Sequence, residues 1–158
     1  MKNIFLKQVA LFSLLIVTGI VTSCSGSDDG EITNPGGTTL KNYKYTITVD
    51  TPIDNTDHIS FVIAAGGTQE NTIWKVNNVT RTGEQSLGFG RNEFTAGTNT
   101  YVVESIQPLR MNAFGVQVVN FGSDIKFSIK VEVDGQTVLN ENQILTGDGS
   151  DFSRDYTF

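Results

Sequence analysis

The sequence predicts an all-β domain, an antiparallel β-sandwich, over residues 41–158. Three observations carry that reading. After Lys41 the apolar residues recur with a period of two, the segments so patterned are short, and Gly, Asn, Asp and Thr separate them. No stretch holds a sustained helical stripe. A single domain of this length buries about two-thirds of the surface its unfolded chain exposes.

The elements follow in order. "YKYTITV" places Tyr43, Tyr45, Ile47 and Val49 on one face and Lys44, Thr46 and Thr48 on the other. "HISFVIAA" alternates Ile59, Phe61 and Ile63, but Val62 and Ala64 make its second face apolar too, the pattern of a central strand covered on both sides. "TIWKVNNV" gives a weaker strand from Ile73 to Val79. "SLGFGRNEFTAGTNT", residues 86–100, reads either as a long loop or as a bulged edge strand with its turn. "IKFSIKVEV" is the clearest strand: Ile125, Phe127, Ile129, Val131 and Val133 point one way, Lys126, Ser128, Lys130 and Glu132 the other. Asp134-Gly135 then forms a tight type I′ hairpin turn, because both positions want positive φ. "QTVLNEN" returns as the partner, with Val138 expected across from Val131. A second hairpin through Gly122 and Ser123 is expected to join "FGVQVVNF" to the same strand, and "FSRDYTF" adds a last one. This layout points to a sandwich of the immunoglobulin-like or Greek-key type, with a small β-barrel as the alternative.

The first residues follow another logic. Lys2 and Lys7 precede an apolar run, Val9 to Val21, too short to span a bilayer comfortably and arranged as a secretory signal peptide. "VTSC", Val21 to Cys24, resembles the bacterial lipobox, which implies cleavage before Cys24 and lipidation of its thiol. The tract "SGSDDG" that follows resembles the acidic export signal of surface lipoproteins of the Bacteroidota type, with Asp28 and Asp29 at the matching positions. Residues 1–23 are therefore expected to be the signal, and 24–40 a flexible tether rich in Gly, Ser, Thr and Asp. The implied address is the outer membrane, reached through the Cys24 lipid, with display at the cell surface and the periplasmic face as the alternative.

Composition narrows the function. The chain carries 11 Lys and Arg against 17 Asp and Glu, a net charge of −6, and loss of Lys2 and Lys7 with the leader makes it more negative. Such a chain has no basic stripe and repels phosphates, which sets nucleic acid aside. Cys24 is the one cysteine. Once acylated it leaves no thiol for a disulfide, a zinc site or a nucleophile.

The chemical candidates are few. His58, the one histidine, sits near Ser60, but no nucleophile-elbow signature surrounds any serine, so no catalytic residue is assigned. Asp54 and Asp57 in "DNTD", and Asp148, Asp151 and Asp155 in "DGSDFSRD", offer hard oxygen ligands. The second group is the candidate calcium site, although Asp and Gly also dominate turns for backbone reasons. Without calcium the reading is of no cofactor. Trp74, Phe89, Phe94 and Tyr101 are candidate platforms for a ligand, and Trp74 is equally suited to plug the space between two sheets.

The order of Tyr-rich early strands, a middle tryptophan, "AGTNTYVV" and a late "IKVEVDGQTV" resembles the small anchored β-domains of MmpS-type transport accessory proteins. That resemblance is one of layout; it implies an accessory role beside an envelope transporter and assigns no residue. Three functions follow from the sequence. The first is a non-catalytic surface module binding a glycan, peptide or envelope protein. The second is the transporter accessory, and the third a small hydrolase.

Overall fold

A computed structural model of the protein describes residues 39–50, 53–66 and 69–158. All of them fall within the unit Gly37–Phe158. Cys24, Asp28 and Asp29, with the expected signal and nearly all of the expected tether, lie outside the described residues.

Ten strands and one short helix make up the described residues. In chain order they are β1 (Tyr43–Val49), β2 (His58–Gly66), β3 (Trp74–Val76), β4 (Val79–Arg81), β5 (Ser86–Gly90), α1 (Arg91–Thr95), β6 (Thr100–Ser105), β7 (Met111–Val119), β8 (Ile125–Val133), β9 (Gln136–Leu145) and β10 (Asp151–Thr157). They form two antiparallel sheets, one of six strands in the order β4-β3-β6-β1-β8-β9 and one of four in the order β10-β7-β2-β5. The sheets pack face to face without closing on each other. The fold is an all-β sandwich and not a barrel.

The inward residues are those the period-two pattern selects. Tyr45, Ile47 and Val49 of β1, Phe61 and Ile63 of β2, and Ile129 and Val131 of β8 have no exposed surface. Aromatic side chains lock the two layers together. The Phe61 ring meets Phe94 at 5.7 Å and Phe127 at 6.0 Å, both edge to face. Tyr45 meets Trp74 edge to face at 6.3 Å and Phe114 in a tilted arrangement at 5.2 Å. Its hydroxyl donates to Oδ1 of buried Asn112, and burial pushes the phenol well above its ordinary pKa.

Several local expectations change. The Ile73–Val79 segment is not one strand: Asn77 and Asn78 take φ of 47° and 67°, turning the chain so that β3 and β4 pair as a hairpin. Two asparagines tolerate these left-handed conformations because their short polar side chains suit them. Asp134 and Gly135 do form the expected positive-φ turn. However, Val131 faces Leu139, because the register shifts between Val131 and Glu132 and leaves Val138 exposed. The segment 86–100 is an edge strand followed by a five-residue helix, with Glu93 Oε2 accepting the N–H of Gly90 at 2.7 Å.

β7 and β8 are not a hairpin, since they belong to opposite sheets. The reason is a carboxylate clamp where the chain crosses between layers. Asp57, 5% exposed, accepts the Asp54 N–H at 2.7 Å and the Phe121 N–H at 2.9 Å. Asp54 accepts the Ser123 N–H at 2.6 Å. These bonds tie the turn after β7 to the turn before β2, while the Asn120 amide donates to the Leu145 carbonyl at 2.8 Å and fastens the end of β9.

Candidate functional site

The inner faces of both sheets are filled, so a binding site must lie on an outer face or at an end. The outer face of the four-stranded sheet is where the residue types become unusual. In the antiparallel register Asp155 of β10 lies beside Gly115 of β7, which lies beside Val62 of β2, which lies beside Gly88 of β5. The next row is Ser153, Gln117, Ser60 and Gly90, and the row on the other side is Thr157, Ala113, Ala64 and Ser86. Where a solvated sheet usually carries long polar side chains, this one is floored by glycine, alanine and valine.

The result is a trough of about 410 Å³ along β2, β7 and β10. It meets a second cleft of about 510 Å³ at the Gly66–Met111 end, and Ala64 and Ala113 line both. Val62 is 42% exposed on the trough floor and Met111 is 62% exposed beside the cleft. The sequence pattern of β2 anticipated cover on both faces. In the structure its second face is open, a correction whose cause is that no element of the described chain packs over it.

Gly115 shapes the middle of the trough. A Cβ at that position would lie 3.1 Å from Oδ1 of Asp155, so the missing side chain leaves room for the carboxylate to lean over the floor. The Asp155 carboxylate makes no hydrogen bond or ion pair among the described residues, and the side chains of Ser60, Gln117 and Ser153 make no hydrogen bond there either. Neighbouring Arg154 is turned away: its guanidinium lies 5.2 Å from the Phe152 ring and donates to the Ser153 carbonyl at 2.7 Å.

Most residues selected from sequence lie elsewhere. Trp74 and Phe94 have no exposed surface, and Phe89 is buried as well. Trp74 takes the plug position, with its indole N–H donating to the Gln85 carbonyl at 3.1 Å. Tyr101 is half-buried between Phe89 and Phe94, with centroids 4.7 and 5.3 Å away, and its hydroxyl donates to the Glu93 carbonyl. None of the four forms an open stacking platform: Phe89, Phe94 and Tyr101 pack together at β5 and α1, and Trp74 packs in the core against Tyr45.

The candidate calcium aspartates are not brought together. Asp148 sits in the β9–β10 turn, Asp151 opens β10, and Asp155 lies four residues further, about 13 Å along an extended strand. Among the described residues no three His, Cys, Asp or Glu side chains cluster to hold a metal. Asp54 and Asp57 lie close to each other, but both Asp57 oxygens and Oδ2 of Asp54 already accept backbone N–H groups.

His58 and Ser60 share the outer face of β2, about 6.6 Å apart along the strand. The acid in the His58 row, Asp151, lies two strands away, roughly 10 Å. Proton relay needs contacts of about 3 Å, so these three do not form a triad as placed.

What sequence reasoning missed is the trough itself. Its signal was present in "NAFGVQVV", where Ala113, Gly115 and Gln117 alternate with Phe114, Val116 and Val118. Outward positions filled by the smallest residues mark a face that admits close approach.

The outer face of the six-stranded sheet is of the ordinary kind. Glu104 pairs with Lys75 at 3.0 Å and Lys44 at 3.5 Å, and the hydrogen bond from Lys75, helped by Lys44, holds its carboxyl below the usual range. Among the described residues no helix is long and apolar enough to cross a membrane.

No family model and no curated protein sequence matches the chain. Solved structures do. A DUF4425 family protein from Bacteroides ovatus superposes with a TM-score of 0.54 at 13% identity, covering 76% of this chain and 95% of that one. A DUF4425 domain of unknown function from Bacteroides vulgatus gives 0.53 at 10% identity, covering 75% and 94%. The calcium-bound form of a protein from Parabacteroides distasonis gives 0.52 at 15% identity, covering 83% and 99%. At such identities the likeness establishes the fold, a β-sandwich shared with proteins of these bacteria.

Proposed function

We propose that the protein is a non-catalytic recognition module of the bacterial cell envelope, held to the outer membrane by a lipid on Cys24, and that it receives a partner protein on the outer face of its four-stranded sheet. The observation that carries the reading is the trough: an open sheet face floored by Val62, Ala64, Gly88, Ala113 and Gly115 and fringed by polar groups without internal partners. A smooth floor lets another backbone approach closely, and the acceptors at its margin give direction. A polypeptide suits this face better than a glycan, because the aromatic rings that would stack on sugars are committed to the core.

The anchor rests on the "VTSC" and "SGSDDG" tracts, and the sandwich shared with Bacteroides proteins is in keeping with it. Mass spectrometry of the mature protein tests it: acylated Cys24 at the N-terminus is expected, and an unmodified thiol would refute it. A photoreactive residue in place of Val62, with Val79 on β4 as control, tests the face in the native envelope. A protein adduct specific to position 62 is expected. If that adduct is a transporter subunit, the module is an accessory of it. Equal labelling from both positions, or no adduct, contradicts the reading.

A further inference from the structure

We infer that Asp155 sets the specificity of this face by accepting a cationic side chain, lysine or arginine, from an extended segment of the partner; the inference rests on the reading above and names the chemistry that the trough selects. The carboxylate leans over the floor at Gly115, where a Cβ would come within 3.1 Å of Oδ1. It has no counter-ion among the described residues. The nearest basic residue in sequence, Arg154, is engaged with Phe152 and the Ser153 carbonyl on the other side of β10. Ser60, Gln117 and Ser153 line the same trough in the next row with groups able to accept hydrogen bonds, and bring no cation.

A partner group that answers this arrangement is a charged donor, since donors to an ionised acceptor make the stronger hydrogen bonds. The net charge of −6 draws cations toward the module before contact. Geometry gives the rest. Successive outward rows of a strand are about 6.6 Å apart, the spacing of alternate side chains in an extended peptide. A segment lying along β2 and β7 therefore places one side chain over the Asp155–Gly115 row and the next over the Ser153–Gln117 row.

The test uses the mature full-length chain and short, fluorescently labelled extended peptides of Ala and Ser carrying a central Lys, Arg, Gln or Glu. Anisotropy titration is expected to show the Lys and Arg peptides binding at least about tenfold more tightly than Gln or Glu. Asp155→Asn should erase that preference and Asp155→Lys should reverse it, while Asp151→Asn, on the same strand outside the trough, leaves it intact. Thermal melting of each variant shows whether the fold is kept. Equal binding of all four peptides, binding of none, or a cation preference that survives Asp155→Asn overturns the inference. The position-62 photoadduct separates the two failures. An adduct formed equally well by the Asp155→Asn protein leaves the face correct and the cation wrong. Absence of both adduct and peptide binding removes the face as well.

Discussion

The two sheets present outer faces of different construction. On the six-stranded sheet, β1 and β8 alternate cleanly, and Lys44, Lys126, Lys130 and Glu132 stand in water, with ion pairs such as Lys130–Glu132 at 3.0 Å. On the four-stranded sheet, β2 and β7 alternate just as regularly, but the residues turned outward are Val62, Ala64, Ala113 and Gly115. Both faces are exposed, but on the six-stranded sheet the exposed apolar side chains, Val79, Val138 and Ile144, lie on its edge strands, whereas on the four-stranded sheet small and apolar residues floor the central strands β2 and β7. The lesson is that alternation decides which residues enter the core, while the identity of the outward set decides whether the face is polar or smooth and apolar.

That contrast can be broken most severely from beneath. Phe61 joins both sheets through Phe94 and Phe127, so Phe61→Ala should cost about 3–5 kcal/mol and abolish both faces together, read by denaturant unfolding. Next comes the clamp that sends β7 and β8 to different sheets. Asp57→Ala leaves two part-buried N–H groups without their acceptor and should cost about 1–3 kcal/mol. Because no three acidic side chains cluster among the described residues, added calcium should leave the melting temperature of the wild type unchanged.

Smaller changes sharpen the comparison. Glu104→Gln on the six-stranded face should cost less than about 1 kcal/mol, as exposed ion pairs do. Its folded pKa lies below the ordinary value of about 4.5, so its stabilisation is present above that pH and fades as pH falls through the lowered value. Acid titration should therefore destabilise the wild type more steeply than Glu104→Gln. Ala113→Lys on the four-stranded face should change stability by no more than about 0.5 kcal/mol and yet abolish partner binding, a separation that melting and cross-linking measure side by side.

Much of the fold was legible because it depends on local chemistry. The alternation of β8, the Asp134–Gly135 turn and the buried faces of β1 and β2 each follow from a few consecutive residues. The Asn77–Asn78 turn was hidden because asparagine in a strand-like context signals its left-handed conformation less plainly than glycine does. The sheet change between β7 and β8 was not legible at all, since it is enforced by Asp54 and Asp57, more than sixty residues earlier in the chain. The site suffered similarly. Trp74, Phe89 and Phe94 attract notice by size, but size is what the core consumes. Asp155 stands out in the sequence as a candidate metal ligand, whereas its place over the trough depends on Gly115 of the adjacent strand.

Covalent carbene footprinting of the full-length protein, in its native envelope and after purification, tests the central claim most directly. Val62 and Met111 should be shielded in the envelope and labelled when purified, while Val79 and Ile144 on the six-stranded sheet label equally in both. Unchanged labelling of Val62 and Met111, or shielding of Val79 and Ile144 in their place, would contradict it.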